Sequence, residues 1–212
     1  MAEAMRARFS LTTISGLLTI VIYLSFTLVA YAYYPTSFTP KDNWLSDLGN
    51  RILNPQGAAF YRTAAVLTGL MLALFFIALG ASFRRQGGKR GVFMTVAEVF
   101  GLIAAMALIM TGVFPEDTGT PHSASSVVLY ISFGTAVWFV GWAFLSVPGR
   151  SRRLSYFAFA VVAATWAFAV LPHTYWLEWV AVFLQLVFVG TVAVAMNRLR
   201  VPSRGKINPP VS

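Results

Sequence analysis

Apolar residues fall into six long blocks, at about 11–34, 58–82, 92–114, 123–147, 154–171 and 175–196, with short polar stretches between them. Within each block there is neither strict alternation nor a polar face, so the pattern is that of helices surrounded by apolar material. A helix rises about 1.5 Å per residue, and roughly 20 residues cross a hydrocarbon core of about 30 Å. The pattern therefore predicts an all-α fold, a polytopic membrane helical bundle of six transmembrane helices. One membrane domain occupies 1–212, and its residues 197–212 form a basic tail. The first block ends in Ala30-Tyr31-Ala32, which imitates a signal-peptidase site. Its apolar run exceeds the usual 7 to 15 residues of a signal peptide, so it is read as an uncleaved span.

The polar stretches carry helix-start signals. Asn54-Pro55 and Thr120-Pro121 each offer a capping side chain followed by a proline at the first helical position, opening spans two and four. The longest connection, 35–57, holds a third such signal in Thr39-Pro40-Lys41-Asp42, with Gly49 as a stop. A short interfacial helix from Pro40 to Leu48 is predicted in this first outer loop, with Trp44, Leu45 and Leu48 on one side against the membrane surface and Asp47 held nearby.

Charge adds orientation. Of 212 residues, 58% are hydrophobic and 11% charged, too few charges for a water-facing surface. The net charge of +9 raises the question of nucleic acid. However, thirteen of the sixteen Lys and Arg lie at the N-terminus, in the second and fourth loops and in the tail, with only Lys41, Arg51 and Arg62 on the other side. That is the positive-inside pattern: N- and C-termini cytoplasmic, a multi-pass location in the cell membrane, membrane lipid as the partner and no nucleic acid. The chain has no cysteine, which excludes disulfides and thiol chemistry.

Candidate chemistry gathers at the outer ends of the spans. Asp47, Arg62, Asp117, His122, His173 and Glu178 are the candidate ligand-binding residues. Arg62 is expected to pair with Asp47, Asp117 or Glu178, and one shallow cavity is expected to collect Asp47, Arg62, Asp117 and His122. The carboxylates and histidines are ligand types for a divalent metal, yet no H-x-x-x-H or H-E-x-x-H pair places two on one helix face. No cofactor is therefore expected, with a divalent metal as the open alternative and no catalytic residue assigned. At the inner side Glu98 is expected to snorkel or to pair with a loop arginine. Gln185 reads as an interhelical hydrogen-bonding residue, and the rows Ala160, Ala164 and Ala163, Ala167 as a close-packing face.

Three stretches together carry a resemblance: Leu45-Ser46-Asp47-Leu48-Gly49 followed by Asn54-Pro55, then Gly112-Val113-Phe114-Pro115-Glu116-Asp117, then His122-Ser123 opening span four. With the six-span layout, the chain resembles the domain-of-unknown-function 998 family of prokaryotic integral membrane proteins. The family pattern carries a second histidine soon after the first and a Gln-Arg pair opening span six. Here Ser123-Ala124-Ser125-Ser126 follows His122, and Glu178 stands near the second place, so a shared metal site is not implied. The resemblance implies no established activity; it adds weight to Asp47, Asp117 and His122 as an outer-face feature. The first functional reading is a polar outer-face site for a lipid headgroup or small-molecule ligand. A membrane-embedded, metal-dependent hydrolase acting on lipid comes second and a small-solute transporter third.

Overall fold

The computed structural model describes residues 9–84, 87–146, 152–171 and 175–200. Six α-helices follow one another: α1 (Leu11–Ala32), α2 (Ala58–Arg84), α3 (Gly88–Val113), α4 (Thr120–Leu145), α5 (Arg152–Val170) and α6 (Tyr175–Arg200). All six are long and apolar enough to cross a membrane, and no strand occurs among the described residues. Each helix packs on its neighbour in the chain, and α6 returns to α1, so the helices close into a ring. Large apolar side chains such as Leu28, Val92, Met106 and Val187 stand exposed on the outside, as in a bundle solvated by lipid.

Small residues set the helix spacing. At Gly112 a Cβ would come within 2.6 Å of the Arg62 carbonyl oxygen, and at Gly101 it would run into the Phe76 ring. Backbone contacts this close let α2 and α3 pack over their full length. On α5 the buried face is Ser155, Ala158, Val161, Val162 and Thr165. The alanine rows expected to pack are only half-buried at Ala164 and Ala167 and exposed at Ala160 and Ala163, because the bulkier Val161 and Val162 turn inward instead. Gln185 does bridge helices, its Nε2 donating to Thr165 Oγ1 at 3.2 Å, and Glu98 pairs with Arg84 across α2 and α3.

The first connection differs most from its expected form. Thr39-Pro40-Lys41-Asp42 makes a single turn, in which the Asp42 and Asn43 amides donate to the Thr39 carbonyl. The chain then extends at Trp44 and winds into a five-residue 3-10 helix, Leu45–Gly49. An interfacial α-helix from Pro40 to Leu48 does not form. Leu45 and Leu48 are each 1% exposed, buried with Tyr23, Ala30, Phe38 and Leu186 rather than laid on a surface. Burying both leucines between α1 and α6 draws the segment inward, and side chains rather than helix carbonyls then satisfy its amides. At the next junction Gly119, at φ +69°, caps α4 one residue before the expected Thr120, which leaves Pro121 inside the first turn.

Asn54 holds this connection. It is fully buried: its Oδ1 accepts from the Gly57 amide at 3.1 Å, as expected of a cap, while its Nδ2 donates to the carbonyls of Ala30 and Leu48, each at 3.0 Å. One side chain thus joins the end of α1, the 3-10 helix and the approach to α2. Asn54→Ala takes this partner from the buried Leu48 carbonyl and Gly57 amide and leaves the Ala30 carbonyl only the Tyr33 amide; it is expected to cost about 2 kcal/mol, read as a fall in melting temperature in detergent. Ile52→Ala, at a side chain 78% exposed, should change stability by less than about 0.5 kcal/mol. Equal effects would contradict this role for Asn54.

Candidate functional site

Five of the seven acids, Asp42, Asp47, Glu116, Asp117 and Glu178, belong to one end of the bundle, called here the acidic end. The α1–α2 connection crosses this end as a roof. Asp47 turns back on its own segment, its Oδ2 accepting from the Trp44 amide at 3.0 Å. Glu178, in the first turn of α6, reaches the next residue: its Oε2 accepts from the Leu45 amide at 2.6 Å, and Ser46 also bonds to it. Trp44 packs against Tyr175 with ring centroids 4.5 Å apart, and the Trp179 Nε1 donates to the Asn43 carbonyl at 3.0 Å. These contacts tie the roof to α6.

A second set of bonds ties the roof to the α3–α4 connection. Asn50 donates to Glu116. Arg51 grips Asp117 through its amide at 3.1 Å and its Nε at 2.8 Å. His122, at the start of α4, sets its Nδ1 2.9 Å from the Phe114 carbonyl oxygen. A carbonyl only accepts, so Nδ1 carries a proton and donates it, and Nε2 makes no hydrogen bond among the described residues. The three stretches on which the resemblance rests thus meet at one end of the fold.

Beneath the roof lies a cavity of about 70 Å³, enough for roughly five waters. Ser46, His122, Ser126 and Glu178 line its upper part; Tyr23, Tyr61 and Tyr130 surround its middle; Leu72, Phe133 and Val189 close the bottom. From Glu178 to Val189 the helix descends about 16 Å, so the cavity reaches from the acidic end well into the bundle. The hydroxyls of Tyr23 and Tyr61 lie 3.1 Å apart. Thr68, only 2% exposed, lines the same space, and its Oγ1 has no hydrogen-bond partner.

The cavity brings together two of the candidate residues, His122 and Glu178. Asp47, Arg62 and Asp117 do not line it. Arg62 pairs with none of the expected acids; its Nε donates to the Gly112 carbonyl at 3.0 Å, where a cation satisfies one of the last carbonyls of α3 and suits the helix dipole. Asp117 is taken by Arg51, and Asp47 by its own segment. His173 lies outside the described residues. No group of three His, Asp or Glu side chains converges on a point where a metal would sit, among the described residues. Tyr23, Tyr61, Tyr130, Thr68 and Ser126 were not among the candidates, because a search led by charge passes over hydroxyls inside apolar spans.

Electrostatics at the roof are asymmetric. Burial, reinforced by the nearby Glu116 carboxylate, pushes the Asp47 carboxyl up to about 6. The hydrogen bond from Arg51 holds Asp117 below the usual carboxylate range. Asp47 therefore binds its proton more tightly in the folded than in the unfolded chain, and the stability it contributes is full below about pH 4 and lost as pH rises through about 6. Melting temperature should accordingly fall between pH 4.5 and pH 7. Asp47→Asn keeps an oxygen acceptor for the Trp44 amide and should reduce that fall; an unchanged slope would contradict the assignment. The contribution of Asp117 has the opposite sign and is lost only as pH drops below the ordinary carboxylate range.

Comparison with known proteins adds one match. Neither the curated proteins nor the solved structures include one that matches the chain. A family model described as a protein of unknown function (DUF998) matches residues 17–196, from within α1 to near the end of α6, and covers all three motif stretches. With six spanning-length apolar helices and this match over most of its length, the chain is a multi-pass membrane protein and belongs to the DUF998 family.

Proposed function

We propose that this protein is a ligand-binding protein of the cell membrane, with both termini in the cytoplasm and the cavity under the α1–α2 roof as its binding site. The thirteen-to-three distribution of Lys and Arg supports the orientation, which puts the acidic end outside. One observation carries the binding reading: a cavity at spanning depth is lined by a buried carboxylate, a histidine with a free ring nitrogen and an unpartnered threonine hydroxyl. Polar groups at that depth are costly unless something bonds to them, and a bound molecule returns what the apolar surroundings withhold. The ligand is a lipid headgroup or a small molecule, approaching from the outer side beside the roof.

The hydrolase reading draws on one feature. His122 and Ser126 stand four residues apart on α4, on one face, and both line the cavity. Among the described residues no hydrogen bond joins them, so binding remains the better-supported reading.

Because the chain has no cysteine, a single Ser126→Cys gives a clean test of orientation and access. A membrane-impermeant thiol reagent added to intact cells should label it, whereas Thr95→Cys, near the other end of α3, should be labelled only after permeabilisation. The reverse pattern would overturn the orientation. For binding, the purified protein is melted with total polar lipids of the host membrane and, separately, with a water-soluble cell extract. One of the two should raise the melting temperature of the wild type but not of Ser126→Trp, which fills the cavity. No rise with either would overturn the binding reading.

A further inference from the structure

The charge of the cavity lining specifies what it accepts. Its one carboxylate, Glu178, is 5% exposed and is held by hydrogen bonds from roof residues rather than by a cation. Among the described residues no lysine or arginine lines the space. The ion pairs among the described residues are Arg51–Asp117 and Arg84–Glu98: the first lies in the exposed connections, the second at the opposite end of the bundle. Arg62, the remaining arginine of this end, is directed to the Gly112 carbonyl and not into the cavity. Asp47 lies close enough to add its negative field to that of Glu178. An anion such as a phosphate would meet an acidic group with no compensating donor charge, whereas a cation gives the carboxyl a counter-ion when it ionises.

The rest of the lining suits a particular cation. Three tyrosine rings, Tyr23, Tyr61 and Tyr130, wall the space next to Glu178, and aromatic faces attract an organic cation within about 6 Å of the ring centre. With Nδ1 donating to the Phe114 carbonyl, the Nε2 of His122 is the ring atom that could accept from an ammonium N–H. Thr68 supplies an independent sign that a polar molecule belongs here: its hydroxyl is buried, faces this cavity and bonds to nothing. The volume fits an ammonium group carried on a chain of a few atoms.

We propose that the cavity binds an ammonium group, on a free small amine or on an amine-bearing lipid headgroup, with Glu178 as the counter-charge and the rings of Tyr23, Tyr61 and Tyr130 as its walls. This rests on the cavity being the binding site, and it narrows the ligand to one chemistry. Lipids with a phosphate but no amine are excluded as full ligands.

The test uses the full chain in neutral detergent, titrated with methylammonium and ethanolamine at constant ionic strength and followed by intrinsic fluorescence. Both amines should saturate; sodium chloride, sodium phosphate and sodium acetate should not. Glu178→Gln keeps an oxygen for the Leu45 amide and removes the charge, and it should weaken amine binding at least tenfold. If that variant does not fold, Tyr130→Leu should weaken binding several-fold while Tyr130→Phe does not. Equal affinity in wild type and Glu178→Gln, an equal response to sodium ions, a stronger response to phosphate, or no response to either amine would each overturn the proposal. If the amines fail while the lipid or water-soluble extract still stabilises the protein, only the ammonium assignment falls; if all fail, the binding reading falls as well. To separate the sources, the protein is placed in nanodiscs of phosphatidylethanolamine or phosphatidylglycerol. A higher melting temperature in the amine lipid, with methylammonium adding nothing further, identifies the headgroup. A response to methylammonium in both identifies a free amine.

Discussion

A backbone segment that enters an apolar helical bundle must bring hydrogen-bond partners for its own amides and carbonyls, since neither lipid nor apolar side chains supply them. The connection between α1 and α2 meets this constraint with side chains, three of them at its buried stretch. Asp47 takes the Trp44 amide, Glu178 takes the Leu45 amide, and Asn54 takes the Ala30 and Leu48 carbonyls and the Gly57 amide. With those groups satisfied, Leu45 and Leu48 can be buried between α1 and α6. The roof, the cavity below it and the placement of Glu178 all follow from this exchange.

The same exchange accounts for a buried carboxylate without a cation partner. Glu178 is needed at the roof for its acceptor oxygens, and its charge comes with them into a space walled by tyrosines and apolar side chains. The hydrogen bonds from Leu45 and Ser46 use its oxygens as acceptors but supply no cation to it. The retention of a carboxylate facing a cavity that also holds an unpartnered hydroxyl is what makes a bound cation the economical account. By contrast, Arg62, Arg51 and Asp117 act in the frame: one satisfies the end of α3, and the other two clamp the two connections together.

The six helices were legible from block length alone, to within about four residues at every end, because lipid-spanning helices need a long apolar run and little else. The cap-like bond of Asn54 to the Gly57 amide was legible, although it closes a turn before α2 rather than placing Pro55 at the first helical position; the reach of that side chain to Ala30, which depends on how α1 is placed, was not. Thr39-Pro40-Lys41-Asp42 carries a sound helix start and still yields only one turn. Burial of Leu45 and Leu48 outweighs local preference there. Charged residues drew attention to the end of the bundle where the cavity lies, yet charge pairing at a distance was not readable: Arg51 rather than Arg62 met Asp117. The tyrosines and Thr68 carry a weaker signal, polar atoms inside apolar spans, and only their convergence in space gives it meaning.

Amide hydrogen exchange over residues 44–54 tests the central claim most directly, since that claim is that Glu178 holds the roof closed over the cavity. In the wild type the 3-10 helix should be protected nearly as well as the adjoining ends of α1 and α2. In Glu178→Ala, protection of this segment should fall at least tenfold while the middles of α2 and α4 keep theirs. Unchanged protection of 44–54 in that variant would contradict the account.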